Sequence, residues 1–269
     1  MADRFKTSDG CEIAYTLNNG AGANAPRVAL VHSLALDRSI WDDVAQELSR
    51  DCQVLTWDCR GHGKSGQPLT TYTPQLFARD LAELMDHVKW PSAVVGGCSM
   101  GGMVAQAFAI EYPKRTTGLV LIDTTAWYGV NASQEWEERA AKASAQGLAS
   151  LVEFQKTRWF SDAFRSSHPQ VVQACIDTFL ANDIEGYAGA CRMLGAFDGR
   201  ALLGTIRVPT HILVGEEDYA APVSMAQAMH ESIAGSQLQI IPGARHLTPL
   251  ETPSIVANSL LALCAAATQ

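Results

Sequence analysis

Six short apolar, β-branched runs recur along the chain, and helical patterns stand between most of them. The runs are Val28–Val31, Val54–Trp57, Ala93–Val95, Leu119–Ile122, His211–Val214 and Leu238–Ile241. Continuous apolar runs of this length read as strands buried on both faces, the habit of a parallel sheet. The intervening helical patterns are Trp41–Leu48, Phe77–Val88, Met100–Tyr112, Val223–Ile233 and Ser254–Cys264. In the second, Phe77, Leu81, Leu84 and Val88 share one helical face, and Thr73-Pro74 supplies a start signal. Upstream, Cys11–Leu17 alternates directly after Asp9-Gly10, which predicts a hairpin opening the sheet. Strands alternating with helices predict an α/β fold with a mostly parallel sheet covered on both faces.

One segment breaks the rhythm. From Ala126 to about Leu203 the chain is rich in Ala, Glu, Gln and Arg, with no convincing strand. It carries the aromatic residues Trp127-Tyr128, Trp136, Trp159-Phe160 and Phe179. We read it as a helical cap, residues 126–203, inserted into a core formed by residues 1–125 and 204–269. Insertions at the carboxyl ends of sheet strands lie over the place where such folds bind ligands.

Composition narrows the function. The chain has 269 residues, 47% of them apolar and 18% charged, enough to bury a large single core. This excludes a disordered, collagen-like or coiled-coil protein. The net charge of −8 comes with no basic run, which argues against nucleic acid or an anionic membrane as partner. The seven cysteines are odd in number, scattered and free of any C-x-x-C pair. That predicts neither a disulfide framework nor a zinc site and fits a reducing compartment. Residues Met1–Gly10 carry four charged side chains and no apolar stretch, and no apolar run reaches membrane-spanning length. The expectation is a cytoplasmic protein without signal peptide, metal or cofactor.

The chemistry is concentrated at Gly97-Cys98-Ser99-Met100-Gly101, a G-x-S-x-G pattern with an apolar strand before it and a helical run after it. A serine on so sharp a strand-to-helix turn is strained, and side chains two residues before and after it would collide. The turn exposes the Ser99 hydroxyl and aims the Met100 N–H at the same point. Cys98 is expected to point into packing.

A serine hydroxyl needs a base, and the base needs an orienting carboxylate. His246 follows the last strand directly, at the sheet's carboxyl edge. His87 and His230 fall within helices, His211 opens a strand, and His32 is expected to shape its loop. For the acid, Asp218 leaves a strand straight into a loop. Asp123, after Leu119–Ile122, competes with it, while Glu217 reads as a solvated charge. The loop after Val28–Val31 offers the Leu34 N–H as second oxyanion donor.

These segments resemble the α/β-hydrolase superfamily over essentially the whole chain. Trp57-Asp58-Cys59-Arg60-Gly61-His62-Gly63-Lys64-Ser65 looks like its D-x-R-G-x-G-x-S stretch, where Asp58 and Arg60 are implied to brace the loop beneath the site. The chain is more narrowly similar to the 3-oxoadipate enol-lactone hydrolases. Ser33-Leu34 with Asp37 and Trp41, Arg60–Gly63 and Ser99–Gly102 carry that similarity, as do Trp136 with Arg139, Arg158-Trp159-Phe160 and Glu185–Ala188 in the insertion. The resemblance implies an eight-stranded sheet, Ser99 as nucleophile, Asp218 as acid, His246 as base, and Leu34 and Met100 as oxyanion donors. The chain departs at His32-Ser33-Leu34-Ala35-Leu36, where the family often has N-S-L-G-T, and at Leu247-Thr248-Pro249, where it often has Ile-Ser-Asn.

The implied activity is hydrolysis of a small lactone or carboxylic ester through an acyl-enzyme, with 3-oxoadipate enol-lactone in aromatic catabolism as the expected substrate. Trp136 and Arg139 are three apart and share a helix face, so an aromatic wall beside a guanidinium would hold a ring and its carboxylate. Arg158 and Trp159 offer a second such pair. The alternative for these arginines is ordinary surface or cap-bracing duty. Competing readings of the whole are a carboxylesterase, a carbon–carbon bond hydrolase of ring-cleavage products, and a ligand receptor on the same fold.

Overall fold

A computed structural model describes residues 2–68 and 70–266. Strands β1 (Asp3–Lys6) and β2 (Glu12–Asn18) form the expected hairpin around Gly10, whose φ is +88°. Then follow β3 (Arg27–Val31), α1 (Asp42–Leu48), β4 (Gln53–Trp57), α2 (Pro74–His87), β5 (Ala93–Cys98), α3 (Met100–Glu111) and β6 (Thr116–Ile122). After a long helical segment come β7 (Thr210–Gly215) and β8 (Gln237–Ile241). The eight strands form one sheet in the order β1-β2-β4-β3-β5-β6-β7-β8. Strands β3 to β8 run parallel, and β2 is antiparallel to both its neighbours.

The segment between β6 and β7 carries α4 (Ala132–Gln146), α5 (Val152–Trp159), α6 (Asp162–Ser167), α7 (Pro169–Leu180), α8 (Ile184–Ala196) and α9 (Arg200–Leu203). A single isolated bridge, Trp127 to Asp198, ties its two ends together. The remaining helices are α10 (Val223–Ser232), α11 (Thr248–Glu251) and α12 (Pro253–Ala266).

The centre of the sheet is as dry as its sequence demands, with Val28–Val31, Val94, Val95 and Leu119–Ile122 all buried. The outermost strand corrects one expectation. Leu238–Ile241 is not buried on both faces: Gln239 and Ile240 are exposed, because β8 forms the sheet edge and pairs only with β7. An apolar run signals a strand but not its place in the sheet. Among the described residues no helix is long and apolar enough to cross a membrane.

Candidate active site

The site begins where β5 meets α3. Ser99 has φ +56° and ψ −116°, a region L-residues rarely occupy. Neighbours hold the strain in place: the Ser99 N–H donates to the Ile122 carbonyl at 2.9 Å, and Thr124 Oγ1 donates to the Ser99 carbonyl at 2.7 Å. A methyl on Gly97 would lie 2.0 Å from the Gly101 carbonyl oxygen, and one on Gly101 would lie 2.1 Å from that of Val31. Both positions therefore exclude any side chain, and the second clash lets α3 run close across the end of β3. Cys98 is buried with its sulfur 3.8 Å from the His246 carbonyl oxygen, and burial pushes its thiol well above the usual range.

Three distant segments meet at this turn. His246 Nε2 lies 2.8 Å from Ser99 Oγ, and His246 Nδ1 lies 2.8 Å from Asp218 Oδ2. All three side chains are buried. The Asp218 carboxylate is itself fixed, since its Oδ1 accepts from the N–H groups of Ala220 at 2.7 Å and Ala221 at 2.9 Å. With Nδ1–H facing that carboxylate, Nε2 is left as acceptor for the serine proton.

Asp123 does something else. It has a strained φ of +48°, and its carboxylate accepts from Gly215 N–H at 3.0 Å, Thr248 N–H at 3.0 Å and Thr248 Oγ1 at 2.7 Å. It thereby links the ends of β6 and β7 to the loop that carries His246. Burial, reinforced by the Asp218 charge, pushes its carboxyl well above the usual range. Glu217 instead faces Arg245 at 3.3 Å near the surface.

His32 shapes the loop after β3. The Cys59 N–H donates to its Nε2 at 2.9 Å, so its Nδ1 carries the proton and donates to the Ser33 carbonyl at 2.7 Å. Below it, Asp58 accepts from the N–H groups of Arg38 and Lys64, and the buried Arg60 pairs with Asp80 and Asp9. The N–H groups of Leu34 and Met100 have no hydrogen-bond partner among the described residues. Met100 is the first residue of α3, where helix geometry leaves the amide free.

The helical segment closes the space above Ser99. A cavity of about 20 Å³ is lined by Ser33, Leu34, Ser99, His246 and Ala220 from below and Tyr128, Trp136, Arg139, Gln155, Arg158 and Trp159 from above. Room of that size holds about one water molecule. Trp136 and Arg139 do share a face of α4, with the guanidinium carbon 4.8 Å from the indole centre, and Arg139 Nε donates to the Tyr187 hydroxyl at 2.7 Å. Arg158 lies over Phe154 at 4.8 Å. Among the described residues neither arginine makes an ion pair. Burial, and then the charge of Arg139, lower the Arg158 pKa. Trp159 is buried edge-on to Phe179, and its carbonyl accepts from the Leu247 N–H at 3.0 Å, joining α5 to the residue after His246.

Sequence reasoning passed over two lining residues. Tyr128 stands edge-on to Trp136 at 5.1 Å. Gln155 is only 2% exposed. Tyr128 was legible from its place just past the end of β6. Gln155 precedes Arg158 by three residues, so it shares that helix face. A larger cavity of about 880 Å³ lies between α2, α3 and α8, lined by Tyr72, Ile110 and Met193 among others, and does not reach Ser99. Among the described residues no cluster of His, Cys, Asp or Glu is arranged to hold a metal ion.

Comparison with known proteins agrees with this architecture. The profile of the alpha/beta hydrolase fold family matches residues 26–253. The chain is 31% identical to 3-oxoadipate enol-lactonase 2 of Acinetobacter baylyi, over 88% of each sequence. Among solved structures it superposes on the enol-lactonase from Burkholderia xenovorans LB400 with a TM-score of 0.93 and 30% identity, covering 98% of this chain and 100% of that one. It also superposes on a thermophilic esterase from Thermogutta terrifontis, solved with malate bound, with a TM-score of 0.91 and 31% identity over the full length of both.

Proposed function

The chain belongs to the α/β-hydrolase fold family, and from that premise we propose a serine hydrolase of a small anionic lactone, with 3-oxoadipate enol-lactone in aromatic catabolism as its substrate. The observation that carries this reading is a pair of arginines that make no ion pair among the described residues, over an aligned serine, histidine and aspartate. Two guanidinium groups near one another in a partly buried site repel, and a substrate carboxylate relieves that repulsion while filling their donors. The names of the two enol-lactonases support the same choice.

In the proposed reaction Ser99 Oγ attacks the lactone carbonyl as His246 Nε2 takes its proton. The Leu34 and Met100 N–H groups receive the oxyanion, each such donor being worth about 3 kcal/mol of barrier. The ring C–O bond breaks, and His246 returns its proton to the departing oxygen. Water, deprotonated by the same histidine, then attacks the acyl-enzyme and releases Ser99. Asp218 keeps the Nδ1–H tautomer and stabilises the imidazolium. The 126–203 segment acts as a cap, with Trp136, Arg139, Arg158 and Trp159 binding substrate. Since the cavity holds about one water, some of these side chains must swing aside to admit a ring. No metal or cofactor has a part in this scheme, and a small molecule is the expected partner. A cytoplasmic location fits seven buried cysteines.

The 31% identical esterase supports a second reading, a carboxylesterase with no need of an acid group on its substrate. Turnover of an enol-lactone carrying a carboxylate, a neutral lactone and nitrophenyl acetate separates the two. Arg139→Ala and Arg158→Ala should each lower kcat/KM for the acidic lactone by about 10- to 100-fold, the worth of a charge-assisted hydrogen bond, and leave the neutral esters nearly untouched. Equal effects on acidic and neutral substrates overturn the anionic-lactone reading in favour of the esterase.

A further inference from the structure

We propose that the Tyr128 hydroxyl acts directly on the substrate, donating a hydrogen bond to the departing oxygen as Ser99 is acylated. This deepens the serine-hydrolase reading and rests on it.

Tyr128 lies five residues beyond Asp123 at the end of β6. Its ring is wedged edge-on against Trp136, and it lines the same cavity as Ser99 and His246. Arg139 and Arg158 line that cavity too. Ser99 Oγ gives its proton toward His246 Nε2 at 2.8 Å, so the reacting carbonyl must enter the cavity that Tyr128 shares with both residues. If this position required only bulk, phenylalanine would fill it without the penalty of desolvating a hydroxyl.

In acylation the Ser99 proton passes to His246 and the Oγ lone pair becomes the new bond to the carbonyl carbon, whose oxygens then stand in the small cavity that Tyr128 lines. The carbonyl oxygen turns toward the Leu34 and Met100 amides, which leaves the ring oxygen for Tyr128. As the C–O bond breaks, its electron pair goes to the ring oxygen and the proton from His246 follows. Tyr128 keeps its own proton throughout and lowers the energy of the charge that builds before transfer is complete. Burial, with the Asp218 charge adding to it, pushes the phenol above the ordinary tyrosine range even though Arg139 and Arg158 pull it down. It therefore remains a donor over the working pH range.

The test is Tyr128→Phe, measured on esters that share one acyl group and differ in leaving-group pKa, from nitrophenol to simple alcohols. A departing alkoxide needs the donor and a nitrophenolate does not. The expected result is a steeper dependence of kcat/KM on leaving-group pKa, with a loss of about 10- to 100-fold for alkyl esters and little change for nitrophenyl esters. Parallel lines would mean that the phenol only positions Ser99, and unchanged rates would mean that it does nothing; either overturns the proposal. Matching thermal midpoints show that the variant is folded. Ser99→Ala on the same series keeps the two readings apart. Retained turnover there sinks the serine mechanism, whereas an inactive Ser99→Ala with an unaltered Tyr128→Phe slope sinks only the role of Tyr128.

Discussion

His246 Nδ1 stands 2.8 Å from Asp218 Oδ2, while Asp123, the other buried carboxylate at this end of the sheet, gives its oxygens to Gly215 and Thr248. The two acids therefore differ in what their loss should do. Asp218→Asn is predicted to lower kcat by about 10³- to 10⁴-fold with little change in thermal midpoint, because the amide supports the wrong imidazole tautomer. Asp123→Ala leaves three buried donors unmatched, and each costs about 1–3 kcal/mol. It is predicted to lower the midpoint by many degrees while the folded fraction keeps most of its kcat. Paired kinetics and calorimetry on both variants check this, and the reverse pattern would exchange the roles of the two residues.

Backbone crowding at the Ser99 turn makes a separate prediction. In Gly101→Ala the new methyl would lie 2.1 Å from a backbone oxygen that has nowhere to go. The variant should lose about 3 kcal/mol or more of stability, at the upper end of overpacking effects, or fail to accumulate as folded protein. Gly204→Ala is the control, because its methyl meets nothing nearer than 3.8 Å and its φ of −65° suits alanine. There the midpoint should hold or rise slightly. Equal midpoints for the two variants in a thermal melt would refute the steric account of the turn.

Buried imidazoles contribute to the loss of stability in acid. Burial, with His32 close by, pushes His62 down to about 3, and burial lowers His32 as well. Both are neutral in the folded protein while their unfolded counterparts take up protons near pH 6.5. Their contribution is thus intact above that pH and is lost progressively as pH falls from about 6.5 toward 3. Each contributes a slope of up to about 1.4 kcal/mol per pH unit. Denaturant melts between pH 7.5 and 4.5 should show this fall, and His62→Asn should flatten it whatever its absolute stability. An unchanged slope would mean that His62 is charged in the folded state.

Much of this was readable from residue types alone, because several positions admit few alternatives. Gly97 and Gly101 leave no space for a Cβ, and Val94, Val95 and Leu119–Ile122 belong only in a dry sheet centre. His32 could be set aside as a loop-shaping residue before its two hydrogen bonds were visible. Other features depend on three-dimensional neighbours that sequence spacing does not encode. Asp218 and Asp123 both follow strand ends, and only the approach of the His246 loop distinguishes them. Leu238–Ile241 has the composition of a buried strand, yet among the described residues no further strand pairs with its outer edge. The spacing that puts Tyr128 just past β6 and Gln155 on the helix face of Arg158 does not reveal that the helical segment folds back over Ser99 and brings both to the site.

The central claim is that Ser99 is the nucleophile and His246 its base. Labelling with a fluorophosphonate, read by intact mass and peptide mapping, tests it most directly. The account predicts one adduct per chain, on the peptide bearing Ser99, absent in Ser99→Ala and formed at least about 100-fold more slowly in His246→Ala, the lower bound for loss of a general base. Labelling elsewhere in the chain, or a Ser99→Ala variant that hydrolyses the lactone at the wild-type rate, would contradict it.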